Sequence, residues 1–269
     1  MGSPLKVIVT GAAGRMGRRL VALAHESPNL QLSGATEAKN HQDLGKDVGD
    51  LAGCGNLGIS ITDDLSRILS QADVVVDFTS PGSTLNHLAQ VAQHKRAIVI
   101  GTTGFSPDEM NQRRKHAESI PCVQAPNMSM GINVLLKIIG KVAEALGDDY
   151  NLEIIDTHHN RKKDAPSGTA LKLAETLATA KNWDLAETGM YTRHGTIGER
   201  PSKEIGIQTV RAGDIVGDHT VLYGGPGERI EITHRAHNRD PFALGALRAA
   251  EWVVRQPPGL YGMADVLNL

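Results

Sequence analysis

The apolar positions of the chain fall into two regimes. The first run, "LKVIVT" at 5–10, is continuous and β-branched, and it breaks at "GAAGRMG". Beyond the break Met16, Leu20, Leu23 and Ala24 recur at i, i+4, i+7 and i+8, the period of an amphipathic helix. A second strand-like run, "LQLSGAT", ends just before Glu37. Two more follow, "ADVVVDFTS" at 72–80 and "RAIVIGTTGF" at 96–105, and between them Leu85, Leu88 and Val91 keep helical spacing. Near-continuous apolar strands alternating with helices predict a doubly wound parallel sheet, an α/β Rossmann-type architecture.

From about residue 130 the pattern changes. "MSMGINVLLKIIGKVAEAL" predicts a helix with Val134, Ile138, Val142 and Leu146 on its packing face, and "YNLEIIDTHH" predicts a strand running into a basic cluster. "APSGTALKLAETLATAK" predicts a second helix, capped by Ser167 or Thr169 and with Pro166 in its start, where a missing N–H costs little. Runs between 204 and 235, punctuated by Gly-Asp and Gly-Pro-Gly, predict antiparallel strands and hairpins. The expected organisation is a dinucleotide-binding domain over 1–129 and an α+β domain with a mixed or antiparallel sheet over 130–237. The last segment, 238–269, contains the helix "PFALGALRAAEWVVRQ" and is expected to pack back onto the first domain.

The break after the first strand changes the picture from fold to chemistry. In a strand–glycine turn–helix unit Gly11 allows the tight turn, Gly14 the close approach of backbone to a pyrophosphate, and Gly17 the packing of helix on strand. The helix start then offers N–H groups and a positive dipole end to phosphates. Glu37, about twenty residues beyond Gly17, stands where a carboxylate accepts hydrogen bonds from ribose hydroxyls. A lone glycine-rich turn is weak evidence, and Glu37 by itself reads equally as an exposed acid. The strand order around them is what favours a nucleotide. Strand ends at "TSPG", "GTTG" and "APNM" outline the remainder of the same edge.

Composition narrows the class. Lys plus Arg (28) nearly balances Asp plus Glu (30), and aromatic residues make up only 3%. That argues against a nucleic-acid binder, which needs basic excess and stacking side chains. The two cysteines, Cys54 and Cys122, match no metal or redox spacing. No apolar run approaches the length of a membrane span, and "MGSPLK" leads directly into a strand, so a cytosolic protein without a signal peptide is expected.

Against this neutral background "DTHHNRKKDAPSGTA" at 156–170 stands out. Out of context such a run is a solvated basic surface, and paired histidines are often structural. No HExxH or third ligand supports a metal. A strand end followed by Gly168-Thr169 at a helix start, however, suits an anionic small molecule. A histidine exchanges protons near neutral pH. Strand alternation sends His158 and His159 to opposite sides unless the chain turns there, and a turn is expected.

Taken together, "GAAGRMG", "GTTGF", "HHNRKKDAPSGTA", "TVRAGDIVGDHT" and "ERIEITHRA" occur in an order and spacing that resemble the 4-hydroxy-tetrahydrodipicolinate reductase (dihydrodipicolinate reductase) family over essentially the whole chain. The HH-x-x-K-x-D-A-P-S-G-T-A block is the specific part. The resemblance implies NADH- or NADPH-dependent reduction of a cyclic imine dicarboxylate in diaminopimelate and lysine biosynthesis, by a cytoplasmic homotetramer. It implies His158 as acid/base, Lys162 as proton donor, and His159, Gly168 and Thr169 as substrate contacts. For the cofactor it implies Gly11, Ala12, Ala13, Gly14, Arg15, Met16, Glu37, Gly101, Thr102, Thr103, Ala125, Pro126, Asn127 and Met128. It implies no metal, and Arg161 and Lys163 are expected to be bystanders. Where some relatives carry an arginine after the acidic residue this chain has Ala38 and then Lys39, which tilts the expectation to NADH with NADPH also accepted, Lys39 or Arg15 meeting the 2′-phosphate. Two alternatives stay open at this point: a non-catalytic dinucleotide sensor, and a reductase of another amino-acid-derived imine or carbonyl.

Overall fold

The computed structural model describes residues 3–269. They divide into two compact units. One comprises the described residues up to Met130 together with Arg239–Leu269, the other Gly131–Asn238.

In the first unit the chain alternates β1 (Leu5–Thr10), α1 (Arg15–Glu26), β2 (Leu30–Thr36), a short α2 (Val48–Ala52), β3 (Ile61–Thr62), β4 (Val74–Asp77), α3 (Pro81–Gln93), β5 (Ala97–Ile100), α4 (Pro107–Ala117) and β6 (Pro121–Gln124). In the second unit come α5 (Met130–Leu146), β7 (Asn151–His158), α6 (Gly168–Lys181), α7 (Leu185–Thr188), β8 (Gly189–Met190), β9 (Ile205–Arg211), β10 (Gly217–Gly225) and β11 (Glu228–Ala236). The chain then returns to the first unit with α8 (Asp240–Val253), β12 (Gly259–Tyr261) and α9 (Met263–Leu267).

The first sheet has the order β12-β6-β5-β4-β1-β2-β3, and all its pairs are parallel. β1 is buried on both faces, as a central parallel strand must be. Val7 and Val9 face a core shared with α1 and α8, and Ile8 faces a second core with Val75, Ile98 and Leu88. The order reverses between β1 and β4, which makes their carboxyl ends the switch point where such sheets bind ligands. The edge strand β12 is three residues long, too short to leave a periodic signal in the sequence.

The second sheet has the order β11-β10-β7-β9-β8. β10 runs antiparallel to both β7 and β11, but β9 pairs β7 in parallel. Of the antiparallel strands and hairpins expected between 204 and 235, β10 and β11 form a hairpin, whereas β9 and β10 do not pair because β7 inserts between them. One sheet face is covered by α5 and α6, with Ile154, Ile207 and Val221 packed against Ile139, Leu173 and Leu177. The predicted packing face of α5 holds for Val142 and Leu146, which pack against the core, and needs correction for the other two. Ile132, Leu135, Ile139 and Ala143 are buried, whereas Val134 and Ile138 are 41% and 38% exposed. Two apolar stripes run along this helix, and periodicity alone does not choose between them. Pro166 also lies outside α6, one residue ahead of the N-cap Ser167, whose hydroxyl accepts from the Ala170 amide.

Candidate active site

At the end of β1 the chain turns at Gly11, whose φ is +62°, and Gly14 N–H donates to Gly11 O (3.0 Å). A Cβ on Gly17 would fall 2.2 Å from Gly11 O and 2.6 Å from Ala12 Cα, so glycine there lets α1 start directly against the loop. α1 begins after Gly14 with no side-chain cap and no acid in its first turn, leaving the helix start suited to an anion. The Glu37 carboxylate reaches back to this loop: Oε2 accepts from Ala13 N and Oε1 from Ala38 N, both at 3.0 Å.

Gly11, Gly14, Glu37, Thr79, Ser83 and His87 line a cleft of about 310 Å³ at the switch point. Two of these lining residues, Thr79 and His87, are held from behind by Asp77, the fully buried last residue of β4. Oδ1 accepts from Thr79 N and from the hydroxyls of Thr79, Thr84 and Thr102 at 2.8–3.1 Å, and Oδ2 lies 2.6 Å from His87 Nδ1. Burial pushes the Asp77 carboxyl up. The His87 contact and the threonine hydroxyls outweigh burial and hold it below its ordinary value. One carboxylate thus ties the loop after β4 to the "GTTG" loop after β5. Thr103 and Pro126 are exposed, Gly101 and Asn127 are partly so, and Ala125 and Met128 bury their side chains in the core. Arg15 and Lys39 are exposed near the same loop and strand end, and Met16 packs partly against the core.

In the second unit β7 alternates strictly, so Asp156 and His158 share its buried face. The antiparallel register sets His219 opposite Asp156, and the parallel register sets Arg211 beside His158. The result is a buried charged cluster. Asp156 Oδ1 lies 2.9 Å from His158 Nδ1 and 3.4 Å from His219 Nε2. Oδ2 accepts from Ser167 N (2.9 Å) and from the Arg211 guanidinium (3.0 Å). Burial raises the Asp156 carboxyl, but the bonds to His158, His219 and Ser167 dominate and hold it far below the ordinary range. The donor atoms of Asp156, His158 and His219 lie within 4.8 Å of one another, a spacing open to a metal ion. Here the side chains make short contacts among themselves, with Arg211 a fourth member, although Asp156 Oδ1, His158 Nδ1 and His219 Nδ1 are buried without an aligned hydrogen-bond partner.

The chain does turn after β7. Lys162 N donates to His159 O (3.1 Å), and Ala212 N and Asn160 N tie the turn to the loop after β9. Lys162 Nζ lies 2.9 Å from Asp164 Oδ1, and Arg211 donates to Asp164 O (2.7 Å). His159 and Thr169 are partly exposed, and a Cβ on Gly168 would meet nothing within 4 Å, so the start of α6 is open to a ligand. Arg161 and Lys163 are fully on the surface. The structure gathers His158, His159, Lys162, Gly168 and Thr169 at one end of β7 and the glycine loop, Glu37 and Thr102 around the first sheet. Sequence reasoning missed Asp77, Asp156, Arg211 and His219. Asp156 was readable, since it precedes His158 by two on an alternating strand; Asp77 carried no local signal.

The family model for the N-terminus of dihydrodipicolinate reductase matches residues 5–128, and that for its C-terminus matches residues 131–267. The chain belongs to the dihydrodipicolinate reductase family. Among its relatives, the 4-hydroxy-tetrahydrodipicolinate reductase of Syntrophus aciditrophicus is 57% identical over 264 residues, covering 98% of each chain. That of Geobacter sulfurreducens is 52% identical over 264 residues, covering 98% of this chain and 99% of its own. A solved structure of dipicolinate-bound dihydrodipicolinate reductase from Paenisporosarcina sp. TG-14 superposes with a TM-score of 0.74 at 25% identity, covering 97% of this chain and 98% of the other.

Proposed function

We propose that the protein reduces 4-hydroxy-tetrahydrodipicolinate to tetrahydrodipicolinate with NADH or NADPH, in diaminopimelate and lysine biosynthesis. The observation that carries this reading is the HH-x-x-K-x-D-A-P-S-G-T-A block, folded so that a histidine, a lysine and an open helix start occupy one strand end. Relatives named for this reaction, similar over nearly the whole chain, support it.

The names of substrate and product fix the balance: the ring loses its 4-hydroxyl as water and gains a hydride and a proton. When bound, the nicotinamide supplies the hydride. The residues present fit such a nucleotide, because the Gly11–Gly17 loop leaves backbone room at an uncapped helix start and Glu37 closes its ribose side. The charge left on the ring by the hydride needs a proton and a nearby cation. Lys162 supplies the cation and donates the proton, while His158 exchanges protons as acid/base. Gly168 and Thr169, at positions one and two of α6, receive one substrate carboxylate at the positive end of the helix, and His159 contacts the ring or the second carboxylate.

Glu37 favours a free 2′-hydroxyl, so NADH is the preferred donor and NADPH is accepted through Lys39 or Arg15. Assembly as a homotetramer belongs to the same reading. On the sheet face away from α5 and α6, Val210 is 42% exposed, an apolar residue that a second copy would cover. Among the described residues no helix is long and apolar enough to cross a membrane, in keeping with a cytoplasmic site of action. The test is to generate the substrate in situ with the preceding synthase and follow oxidation of NADH and NADPH. Substrate-dependent oxidation is expected; none with either nucleotide overturns the reading.

A further inference from the structure

We infer that Asp156 is a positioning residue that fixes His158 with its proton on Nδ1, so that Nε2 is the nitrogen that trades protons in turnover. The inference rests on the functional reading above and adds to it a residue and a tautomer.

The two oxygens of Asp156 do different things. Oδ2 accepts from the Ser167 amide at 2.9 Å and from the Arg211 guanidinium at 3.0 Å. Neither group can act as an acceptor, so an oxygen must stand there. This pins the carboxylate plane and sets Oδ1 2.9 Å from His158 Nδ1, a contact off the line of a regular hydrogen bond but close enough that an acceptor-only oxygen repels a lone pair on Nδ1. His219 is the weaker claimant on Oδ1: its Nε2 is 3.4 Å away and lies closer, at 3.2 Å, to the Ser167 hydroxyl. A carboxylate accepts only, so the pair holds the neutral imidazole as its Nδ1–H tautomer.

The other side of the ring points to the same assignment. A Cβ on Gly217 would fall 2.9 Å from His158 Nε2 and 3.2 Å from Cδ2. Only a glycine at this buried position lets the ring seat against the β10 backbone with Nε2 clear of a Cβ. His219 packs edge-on to His158, with ring centroids 5.2 Å apart and planes at 74°, and limits rotation about χ2.

The cluster has a purely structural rival reading, in which Asp156 only joins β7, β9, β10 and the start of α6. Asp156→Asn separates the two. Ser167 N and Arg211 still demand an oxygen, so the amide must place its carbonyl there and its NH2 against His158. Nδ1 then becomes an acceptor and the proton moves to Nε2. This is the wrong-tautomer outcome known from the carboxylate of serine-protease triads.

The experiment is histidine-selective ¹⁵N labelling of the full chain, with long-range ¹H–¹⁵N correlation at alkaline pH and His158 assigned by its loss in His158→Gln. The wild-type protein is expected to show the Nδ1–H pattern and Asp156→Asn the Nε2–H pattern. Steady-state kinetics should then show kcat reduced about 10²–10⁴-fold, with the substrate KM moved less than about threefold and NADH binding by fluorescence unchanged. An Nε2–H tautomer in the wild-type protein overturns the inference even where the variant does not fold. A folded Asp156→Asn enzyme that keeps wild-type kcat overturns it while leaving the reductase reading intact. A wild-type enzyme inert with both nucleotides removes that reading and the catalytic role with it, and the tautomer is still read directly.

Discussion

Lys162 and Asp164 face each other across a turn, with Nζ 2.9 Å from Oδ1, Lys162 the more buried of the two side chains at 21% exposure against 58%. The ammonium proposed to serve a dianionic substrate is thus held by a carboxylate of its own chain. Substrate and Asp164 compete for one cation. Lys162→Met is expected to lower kcat about 100-fold or more, with a smaller change in KM. Asp164→Asn removes the competitor and one negative charge beside the site. It is expected to lower the substrate KM by about two- to fivefold, the scale of an exposed ion pair. Initial rates over a substrate series check both; an unchanged KM in Asp164→Asn would show that the pair does not compete.

Glu37 has two tasks that a substitution can separate. Its carboxylate accepts from Ala13 N and Ala38 N, fixing the glycine loop, and on the proposed reading it presents negative charge where a 2′-phosphate would sit. Glu37→Gln keeps oxygen acceptor capacity but removes the charge. Hydrogen bonds to charged groups are worth about 1.5–3 kcal/mol, so the NADH-over-NADPH ratio in kcat/KM is expected to fall by about tenfold or more. Lys39→Glu should weaken NADPH and leave NADH nearly unchanged. Equal loss with both nucleotides in both variants would deny either residue a part in the choice.

Two glycines at helix starts give opposite expectations. A Cβ at Gly17 meets backbone at 2.2 Å, which no rotamer relieves, so Gly17→Ala is expected to cost about 1–3 kcal/mol by overpacking. The melting temperature and the NADH affinity should fall together. A Cβ at Gly168 meets nothing within 4 Å, so Gly168→Ala should leave the melting temperature where it was and raise the substrate KM. Thermal scans with a nucleotide titration and kinetics on both variants decide it.

The sequence was legible wherever period and spacing coincide with a physical need. The strand–glycine turn–helix of Leu5–Glu26 could be read because its residue types answer local constraints of φ and approach distance, whereas the HH-x-x-K block took its residue roles only through its resemblance to a family. The packing face of α5 was misread because Val134 and Ile138 form a stripe as apolar as the one that is buried. The parallel β7–β9 pairing was hidden because alternation reports faces, not neighbours. His219 could not be found locally, because its partner Asp156 lies far along the chain and meets it only through sheet register; Asp77 gathers nearby Thr79, Thr84 and His87 as well as distant Thr102.

The same two buried carboxylates set the acid limit of the fold. Asp77 and Asp156 are both fully shielded, and in each the donors around the carboxylate overcome burial and hold the group below the ordinary value of 3.8. In the unfolded chain they take up protons near that ordinary value, so as pH falls the unfolded state binds protons first. Their contribution is therefore complete above about pH 5 and is lost as pH drops below about 4 towards the depressed folded values. Melting temperature is expected to stay nearly flat from neutrality to pH 5 and then to fall. Asp77→Asn should melt lower at pH 7, by about 1–3 kcal/mol for the weakened His87 and threonine contacts. It should also lose less than the wild-type protein between pH 5 and pH 3. Parallel acid limbs in the two proteins would show that Asp77 is not among the groups whose protonation unfolds the chain.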